Sequence, residues 1–394
     1  MPALDVRWQP RHVRPAFQGV LAVLVIALWS SFAQVSGAAG WTESSASSVN
    51  ESTLGAVSCN STSSCTAVGY LGDNTLIESW SRSSWSPVRS PDRGLNSTLD
   101  GVFCVSGKSC VAVGNYSSAS RSQTLVESWN GSVWSLVRSP DRGLNSTLDG
   151  VFCVSASFCE AVGNYTSAGL IQTLVESWNG TTWSVVPSPS LAPSQSSLNA
   201  VFCVLGKSCV AVGNYGRATL VESWNGTAWS IVPSPTPGTY GGLSGVSCSS
   251  ASSCVAVGNY SYGGTGSGSS SLTRTLVESW NGAAWSVAPG PSPSVAHLYG
   301  VSCTAASSCT AVGDYTSNSG LSRALIESWN GSAWSIVPNP SPAVADLYGV
   351  SCISASSCKA VGEYTSNSRG AVPSDPLVES WNGTAWTALT LRIP

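Results

Sequence analysis

One unit of about fifty residues recurs seven times along the chain, and this repetition limits the fold more than any other feature. Each unit contains two cysteines in a C-x5-C pair, followed by a segment of the type ESWNGxxW. The first cysteines of successive pairs lie 45, 49, 50, 45, 55 and 49 residues apart. The repeats begin near residues 54, 99, 148, 198, 243, 298 and 347.

The second unit shows what each repeat contains. It reads LDGVFC, CVAVGNY, TLVESW and VWSLV, which are four short runs with strand-like composition. Four strands in a unit of 40–50 residues are typical of one blade of a β-propeller. The sequence therefore predicts an all-β fold over residues 40–394: a seven-bladed propeller with four antiparallel strands per blade. Residues 89–106 and 138–155 are identical, which indicates a recent tandem duplication.

The ESWNGxxW segment has the pattern of a hairpin. A two-residue Asn130-Gly131 turn of type I′ would place Trp129 opposite Ser132, whereas a four-residue loop would place it opposite Trp134. Both registers put the two tryptophans on one face with Leu125 and Glu127, because side chains alternate along a strand. We expect this aromatic face to pack on the next blade.

The cysteines predict one disulfide within each blade, since five intervening residues allow two strands to reverse and bring both sulfurs together. Metal ligation is a poorer interpretation, because zinc sites use closer spacing and often histidine. The only histidine after the N-terminal segment is His297, and it belongs to no repeated pattern. We expect no metal and no cofactor.

The predicted disulfides pair each first cysteine with the cysteine six positions later. They join Cys59 with Cys65, Cys104 with Cys110, Cys153 with Cys159, Cys203 with Cys209, Cys248 with Cys254, Cys303 with Cys309, and Cys352 with Cys358.

Residues 1–39 are predicted to be a signal peptide. Arg7, Arg11 and Arg14 precede an apolar stretch over residues 17–32, and the small residues VSGAAG follow at 35–40. An uncleaved membrane anchor is the alternative, although the apolar stretch is shorter than the ~20 residues a spanning helix needs. Together with the disulfides, this segment predicts a secreted, extracellular protein.

Closure of the ring has two solutions in the sequence. Trp41 lies 18 residues before Cys59, much as Trp85 lies 19 residues before Cys104, so residues 41–53 resemble an extra fourth strand. Either this segment or the one around Trp386 could complete the last blade. The sequence leaves both open.

The repeat GVSC-x5-CxAVGxY…TLVESWNGxxWS resembles the secreted propeller repeats of actinobacterial proteins without an assigned activity, over residues 54–394. It is also loosely similar to the Asp-box of sialidase-type propellers, through Ser223, Asn225, Gly226 and Trp229, but is one residue shorter. The Asp-box is a structural turn away from the active site in that family. This resemblance therefore implies a fold and no catalytic residue.

Two repeated residue types are candidates for ligand contact. The glutamate of ESW occurs in every repeat, and seven equal catalytic centres are implausible, so we interpret it as an inter-blade structural group. The second strand ends in one tyrosine per repeat, which could stack on sugar rings or pack against a loop. These candidate ligand-binding residues are Tyr116, Tyr165, Tyr215, Tyr260, Tyr315 and Tyr364.

Loop variation and charge point to a binding function. The loops between strands two and three vary from GRA (216–218) to SYGGTGSGSSSLTR (261–274), and binding usually resides in variable loops on a rigid scaffold. The net charge is −3, with no basic tract suited to nucleic acid. We expect a monomeric, non-catalytic binding module for a carbohydrate or cell-envelope polymer. The alternative is an extracellular protein-interaction scaffold, and a glycoside hydrolase or lyase is a more distant one.

Overall fold

The computed structural model describes residues 51–391, except for 92, 94, 190, 192–193, 205–207, 263–271, 294, 343, 366–372 and 390. The predicted signal peptide and Trp41 lie outside the described residues. The described chain forms strands and turns without a helix, so it contains no helix that could span a membrane.

Twenty-eight strands form seven sheets, each built from four consecutive strands. Blade 1 contains β1 (Ser52–Ser61), β2 (Ser64–Leu71), β3 (Asn74–Ser81) and β4 (Ser84–Pro87). Blade 2 contains β5 (Leu95–Ser106), β6 (Ser109–Ser118), β7 (Arg121–Trp129) and β8 (Trp134–Leu136). Blade 3 contains β9 (Ser146–Ser155), β10 (Phe158–Ser167), β11 (Leu170–Trp178) and β12 (Trp183–Val185). Blade 4 contains β13 (Ser196–Val204), β14 (Ser208–Tyr215), β15 (Ala218–Trp224) and β16 (Trp229–Ile231).

The remaining blades follow the same plan. Blade 5 contains β17 (Tyr240–Ser250), β18 (Ser253–Tyr262), β19 (Leu272–Trp280) and β20 (Trp285–Val287). Blade 6 contains β21 (Ala296–Ala305), β22 (Ser308–Thr316), β23 (Ser322–Trp329) and β24 (Trp334–Ile336). Blade 7 contains β25 (Ala345–Ser354), β26 (Ser357–Tyr364), β27 (Asp375–Trp381) and β28 (Trp386–Leu389). The predicted fold class, a seven-bladed antiparallel propeller, is confirmed.

The ring closes by packing and not by exchange of a strand within the described chain. The first strands of neighbouring blades lie against one another around the centre, and β25 returns to β1. The Ser52 amide donates to the Ser374 carbonyl at 2.9 Å, which joins the first strand to the segment before β27. The Trp386 segment completes blade 7 as β28, so the structure selects that one of the two closure solutions.

The aromatic face of each blade packs as the alternation predicted, but against the other neighbour. Leu125 and Trp134 of blade 2 are buried with Val68 and Ile77 of blade 1, and the same pairing recurs in blade 3 against Val126. The tryptophans therefore face the preceding blade in chain order, and the expectation that they face the next blade was wrong. The β-branched residues of each blade pack against the tryptophan of the next blade in chain order.

The hairpin register is the four-residue alternative. Trp129 pairs with Trp134, and their ring centroids are 5.8 Å apart. Gly131 has a φ of 96°, while Asn130 instead accepts hydrogen bonds on Oδ1 from the amides of Ser132 and Val133 at 3.0 Å. Of the two alternatives, the structure therefore excludes the type I′ turn: asparagine closes the loop with its side chain, and only glycine needs positive φ.

All seven predicted disulfides are present, and each joins the first and second strands of its blade. In every pair the two cysteines lie directly opposite each other in the strand register. The bonded pairs are Cys59 with Cys65, Cys104 with Cys110, Cys153 with Cys159, Cys203 with Cys209, Cys248 with Cys254, Cys303 with Cys309, and Cys352 with Cys358.

The disulfides contribute less to stability than the tryptophan layers. Each disulfide closes a small loop, worth about 2.4 kcal/mol in the loop-entropy model. Burial of one tryptophan removes ~150–250 Å² from water, or roughly 4–6 kcal/mol before entropy costs.

Reduction should consequently lower the melting temperature without unfolding the propeller at 25 °C. The measurement is near-UV circular dichroism of the tryptophans during a thermal scan, with and without dithiothreitol, after thiol counting has shown complete reduction. Loss of the tryptophan signal at 25 °C in reductant would show that the disulfides dominate.

Candidate functional site

The two ends of the blades form two different surfaces. In each blade, the turn between the first and second strands and the turn between the third and fourth strands lie at one end, which we call the cystine face. The loops between the second and third strands and the linkers between blades lie at the other end, which we call the loop face. The indole N–H of Trp129 donates to the carbonyl of Gly107 at 3.1 Å, which ties the two turns of blade 2 together. The same bond recurs from Trp329 to Ala306. The turns of the cystine face are thus held by the same bond in different blades, whereas the loops of the loop face differ in length from blade to blade.

A β-bulge lies at the loop-face end of every first strand, and in every blade except the first it carries a polar side chain. In blade 2 the bulged residue is Asp100, between Leu99 and Gly101, and its side chain lies beside Thr98 and Asn115. The Asn115 amide donates to Thr98 Oγ1 at 3.1 Å and to Asp100 Oδ2 at 3.3 Å. Every blade has the same three positions around the channel mouth, and glycine occupies one of them in blade 1 (Gly55) and in blade 5 (Gly242).

Blades 6, 7 and 1 carry a different set at the same positions. We call it the mouth cluster, and it consists of Thr53, Tyr70, His297, Tyr299, Asp314, Ser322, Asp346, Tyr348 and Glu363. These residues come from seven strands, and the bulges place them on one side of the channel mouth.

Hydrogen bonds connect the mouth cluster across three blades. His297 Nδ1 lies 3.0 Å from Asp314 Oδ1, and the Ser322 hydroxyl donates to Asp346. The Tyr348 hydroxyl donates to Glu363 Oε1 at 2.8 Å, and the Thr53 hydroxyl donates to the other oxygen of Glu363.

Aromatic rings flank these polar groups. The Tyr299 ring is 6.0 Å from His297 and 5.4 Å from Tyr348, measured between centroids. The cluster is therefore both polar and aromatic.

Burial and neighbouring charge act together on the mouth cluster. Burial raises the pKa of Asp346 to about 6, the hydrogen bond from Ser322 opposes the rise, and Asp314 and Glu363 add to it. Burial also raises the pKa of Tyr348 well above its usual value, with a smaller contribution from Glu363. The described residues contain no group of three or more histidine, cysteine or acidic side chains placed to hold a metal ion. The half-buried Asp346 and Glu363 offer hydrogen-bond acceptors and negative charge beside the half-buried Tyr299 ring at one point of the loop face, whereas Tyr70 and Tyr348 are buried.

The six candidate tyrosines lie at the loop-face ends of the second strands, one per blade. Tyr116 and Tyr165 are buried, and Tyr215, Tyr260, Tyr315 and Tyr364 are half-buried. The structure places them on separate blades and does not gather them into one pocket.

Two of these rings are covered by arginine. Arg93 lies over Tyr116 at 5.3 Å and Arg142 lies over Tyr165 at 4.9 Å. The first repeat departs from this pattern. Its Tyr70 pairs with Thr53 of the first strand, at the position where Asn115 pairs with Thr98 in blade 2, and it therefore belongs to the mouth cluster.

The repeated glutamate of ESW forms a clasp between blades. In blade 4, Glu222 is fully buried and accepts a hydrogen bond at 2.8 Å from Ser188, which belongs to the linker from blade 3. Ser139 and Ser234 donate in the same way to Glu176 and Glu278. Because the partner is a serine of the preceding linker, the glutamate fastens consecutive blades to each other.

Blade 6 lacks the serine of this clasp. Gly290 occupies its place, and both carboxylate oxygens of Glu327 are buried without a hydrogen-bond partner in the described structure. Burial raises the pKa of Glu327 to about 8, compared with about 7 for Glu222, whose serine opposes the rise. A Cβ added to Gly290 would lie 3.6 Å from Glu327 Oε2, which is ordinary contact distance.

The variant Gly290→Ser should therefore stabilise the protein by about 1–2 kcal/mol, because it supplies the missing donor to a buried carboxylate. Urea unfolding at pH 7 measures the gain. Gly290→Ala is the matched control, since it restricts the unfolded chain equally and donates nothing. An equal gain from serine and alanine would show that the hydroxyl makes no bond to Glu327.

Sequence reasoning found the repeated residues and missed the mouth cluster. Most of its members break the repeat: His297, Tyr299, Asp314, Asp346 and Glu363 stand where blades 2 to 5 have threonine, serine, glycine, aspartate or asparagine. Alignment of the seven repeats position by position would have identified them, because the departures fall in adjacent repeats at equivalent positions.

Comparisons with known proteins add the fold and little more. No protein-family model matches the chain, and no curated protein matches it. Among solved structures, "YCF48 bound to D1 peptide" has a TM-score of 0.51 at 12% identity, over 79% of this chain and 89% of that one. A Niastella koreensis GH74 enzyme has a TM-score of 0.47 at 10% identity, over 86% of this chain and 59% of that one. Chaetomium thermophilum Sqt1 bound to the N-terminus of the ribosomal protein L10 has a TM-score of 0.49 at 12% identity, over 86% and 87%. At 12% identity, the similarity to the YCF48 structure is one of fold alone.

Proposed function

We propose that this chain is a secreted, non-catalytic propeller that binds a polypeptide partner on its loop face. The observation that carries the proposal is that the seven blades share one scaffold but differ in the side chains around the channel mouth. The equivalent positions at and beside the bulge hold Thr98, Asp100 and Asn115 in blade 2, and Asp346, Tyr348 and Glu363 in blade 7. A ring of similar blades with a distinct cluster of side chains on blades 6, 7 and 1 suits the binding of one asymmetric partner better than the binding of seven equal ligands.

The composition of the mouth cluster supports a polypeptide over a glycan. Its acidic groups and flanking tyrosine rings suit the amide, basic and apolar groups that a polypeptide presents together. The expectation of glycan recognition had two grounds, the variable loop face and one tyrosine per blade, and Arg93 and Arg142 cover two of those tyrosines. The structural neighbour with bound D1 peptide is consistent with this use of a propeller.

Secretion is part of the proposal. Seven disulfides indicate that the described domain folds in an oxidising compartment. Residues 1–39 are proposed to direct export and to be removed, with the propeller domain occupying 40–394. N-terminal sequencing of the protein recovered from culture medium tests both statements together.

Site-specific photo-crosslinking tests the binding proposal. A benzophenone amino acid is placed at Asn318 on the loop face or at Ala333 on the cystine face, both exposed and both in blade 6. We expect a protease-sensitive adduct from position 318 in the exporting cells, reduced by the loop-face variant Asp346→Asn, and none from position 333. Equal adducts from both positions would overturn loop-face binding, and a protease-resistant adduct removed by glycosidases would favour a glycan partner.

A further inference from the structure

Six arginines follow one another along the chain on the linkers and second-to-third-strand hairpins at the loop-face side of blades 1 to 4. We call them the arginine arc: Arg89, Arg93, Arg121, Arg138, Arg142 and Arg217. All six are exposed. None of them makes an ion pair with a carboxylate that the structure describes. Exposed guanidinium groups without a charge partner are available to an anionic ligand.

Three members of the arc are held in place by aromatic rings. Arg93 lies over Tyr116 at 5.3 Å, Arg142 over Tyr165 at 4.9 Å and Arg217 over Tyr240 at 4.7 Å, measured from the guanidinium carbon to the ring centroid. Tyr116 and Tyr165 are themselves fixed by hydroxyl bonds to Gln123 and Gln172. Stacking leaves the edge donors of a guanidinium free, so these arginines are oriented before any ligand arrives.

The carboxylates near the arc are occupied by other groups. Asp141 Oδ1 accepts from the amide and the hydroxyl of Thr124 at 2.9 and 3.2 Å. Asp100 and Asp149 accept from Asn115 and Asn164 inside the channel mouth. Among the described residues, the arginines of the arc therefore outnumber the aspartates on this side of the loop face, while the mouth cluster on blades 6, 7 and 1 is acidic.

A surface cleft adjoins the arc between blades 1 and 2. It has a volume of about 480 Å³, and its walls include Leu71, Pro87, Val88 and Leu136, with Arg89 at the same site. The side chain of Leu136 is 39% exposed there. An apolar cleft beside unpaired arginines suits a polypeptide segment that combines carboxylates with an apolar side chain.

We infer that the arginine arc binds an acidic segment of the polypeptide partner, with arginine–carboxylate pairs along blades 2 to 4 and an apolar side chain in the cleft. This inference rests on the proposed function and gives the chemistry of the partner. The arc takes most of its arginines from the two identical copies of RSPDRG, at 89–94 and 138–143, whereas later linkers carry proline at the first arginine position. The duplication has thus placed the same anion-binding linker on two neighbouring blades.

The experiment measures binding of a fluorescein-labelled peptide of about ten residues that alternates glutamate and leucine with glycine spacers. Arg93→Gln, Arg142→Gln and Arg217→Gln are combined in one variant. A matched variant combines Arg82→Gln, Arg274→Gln and Lys108→Gln, which removes the same charge at exposed positions outside the arc. Fluorescence anisotropy is recorded at 20 and 200 mM salt, and thermal melting confirms that both variants are folded.

We expect the arc variant to weaken binding at least ten-fold and the matched variant less than two-fold, with weaker binding at the higher salt. Absence of binding to the natural sequence at low salt, or equal weakening in both variants, would overturn the inference. Binding of sulfated or phosphorylated polysaccharide in place of the peptide would also overturn it. A loop-face adduct in the crosslinking experiment that is unaffected by the arc variant would leave the proposed function standing while the acidic-segment inference fails.

Discussion

Replacing Gly69 with alanine should lower the free energy of unfolding by about 3–5 kcal/mol, one of the largest effects expected from a single methyl group in this chain. Gly69 lies on β2 opposite the bulge in β1, where Leu54 pairs with it and Gly55 is left unpaired. A Cβ at Gly69 would lie 1.9 Å from the carbonyl oxygen of Thr53, which is backbone and has no flexible end to move away. The methyl group can be accommodated only by breaking the strand pairing that creates the bulge.

Gly55 provides the control within the same pair of strands. A Cβ there meets nothing closer than 3.8 Å, and other blades carry aspartate, asparagine, serine or tyrosine at this position. Gly55→Ala should therefore change stability by less than about 1 kcal/mol. Urea unfolding followed by tryptophan fluorescence compares the two variants. A similar loss at both positions would show that the effect comes from backbone freedom and not from the bulge.

This bulge explains why part of the fold was predictable and part was not. The AVG triplet of each second strand was visible as a repeated motif, but its glycine gains meaning only when the opposite strand is known to carry an extra residue. Alternation along a strand predicted which side chains share a face, since that follows from backbone geometry alone. It did not give the neighbour that each face contacts, because the path from one blade to the next depends on the linker.

The hairpin and the mouth cluster show the same limit for local chemistry. Asn-Gly indicated a turn, but asparagine can close a turn either with positive φ or with its side chain, and the choice depends on loop length. The mouth cluster brings together His297 of blade 6 and Thr53 of blade 1, because the first blade in the chain contacts the last one. Residues that distant in sequence meet only because seven blades close a circle, which no local pattern encodes. The pairing of cysteines six positions apart, in contrast, is a local property and was predicted completely.

The propeller should be more stable at pH 5 than at pH 8, because its clasp glutamates are buried. Burial raises the pKa of Glu78, Glu176 and Glu327 to about 8, with a further rise from Asp141 at Glu176, and that of Glu222, Glu278 and Glu379 to about 7. In the unfolded chain these groups return to the ordinary value of 4.5. Between these limits the folded state binds more protons than the unfolded state, so stability falls as the pH rises.

Glu327 should show this effect most clearly, because no serine donates to it. A glutamate with a folded pKa of about 8 and an unfolded pKa of 4.5 loses about 3 kcal/mol of stabilisation between pH 5 and pH 8. Lys359, a buried lysine over Trp80 between blades 7 and 1, also has a shifted pKa. Burial lowers that pKa to about 8, so the contribution of the lysine to stability changes mainly above pH 8.

The variant Glu327→Gln should therefore be much less sensitive to pH, losing about 3 kcal/mol less stability than the natural sequence over this range. Its amide cannot ionise, so raising the pH no longer forces a buried, unpartnered charge into the interface between blades 5 and 6. Urea unfolding at pH 5, 6, 7 and 8 gives the two slopes, and Glu51→Gln serves as the control at an exposed position. Gly290→Ser should reduce the slope partway, since a hydroxyl donor stabilises the carboxylate without removing it. If the slope were the same in Glu327→Gln as in the natural sequence, the pH dependence would have to arise outside the clasp of blade 6.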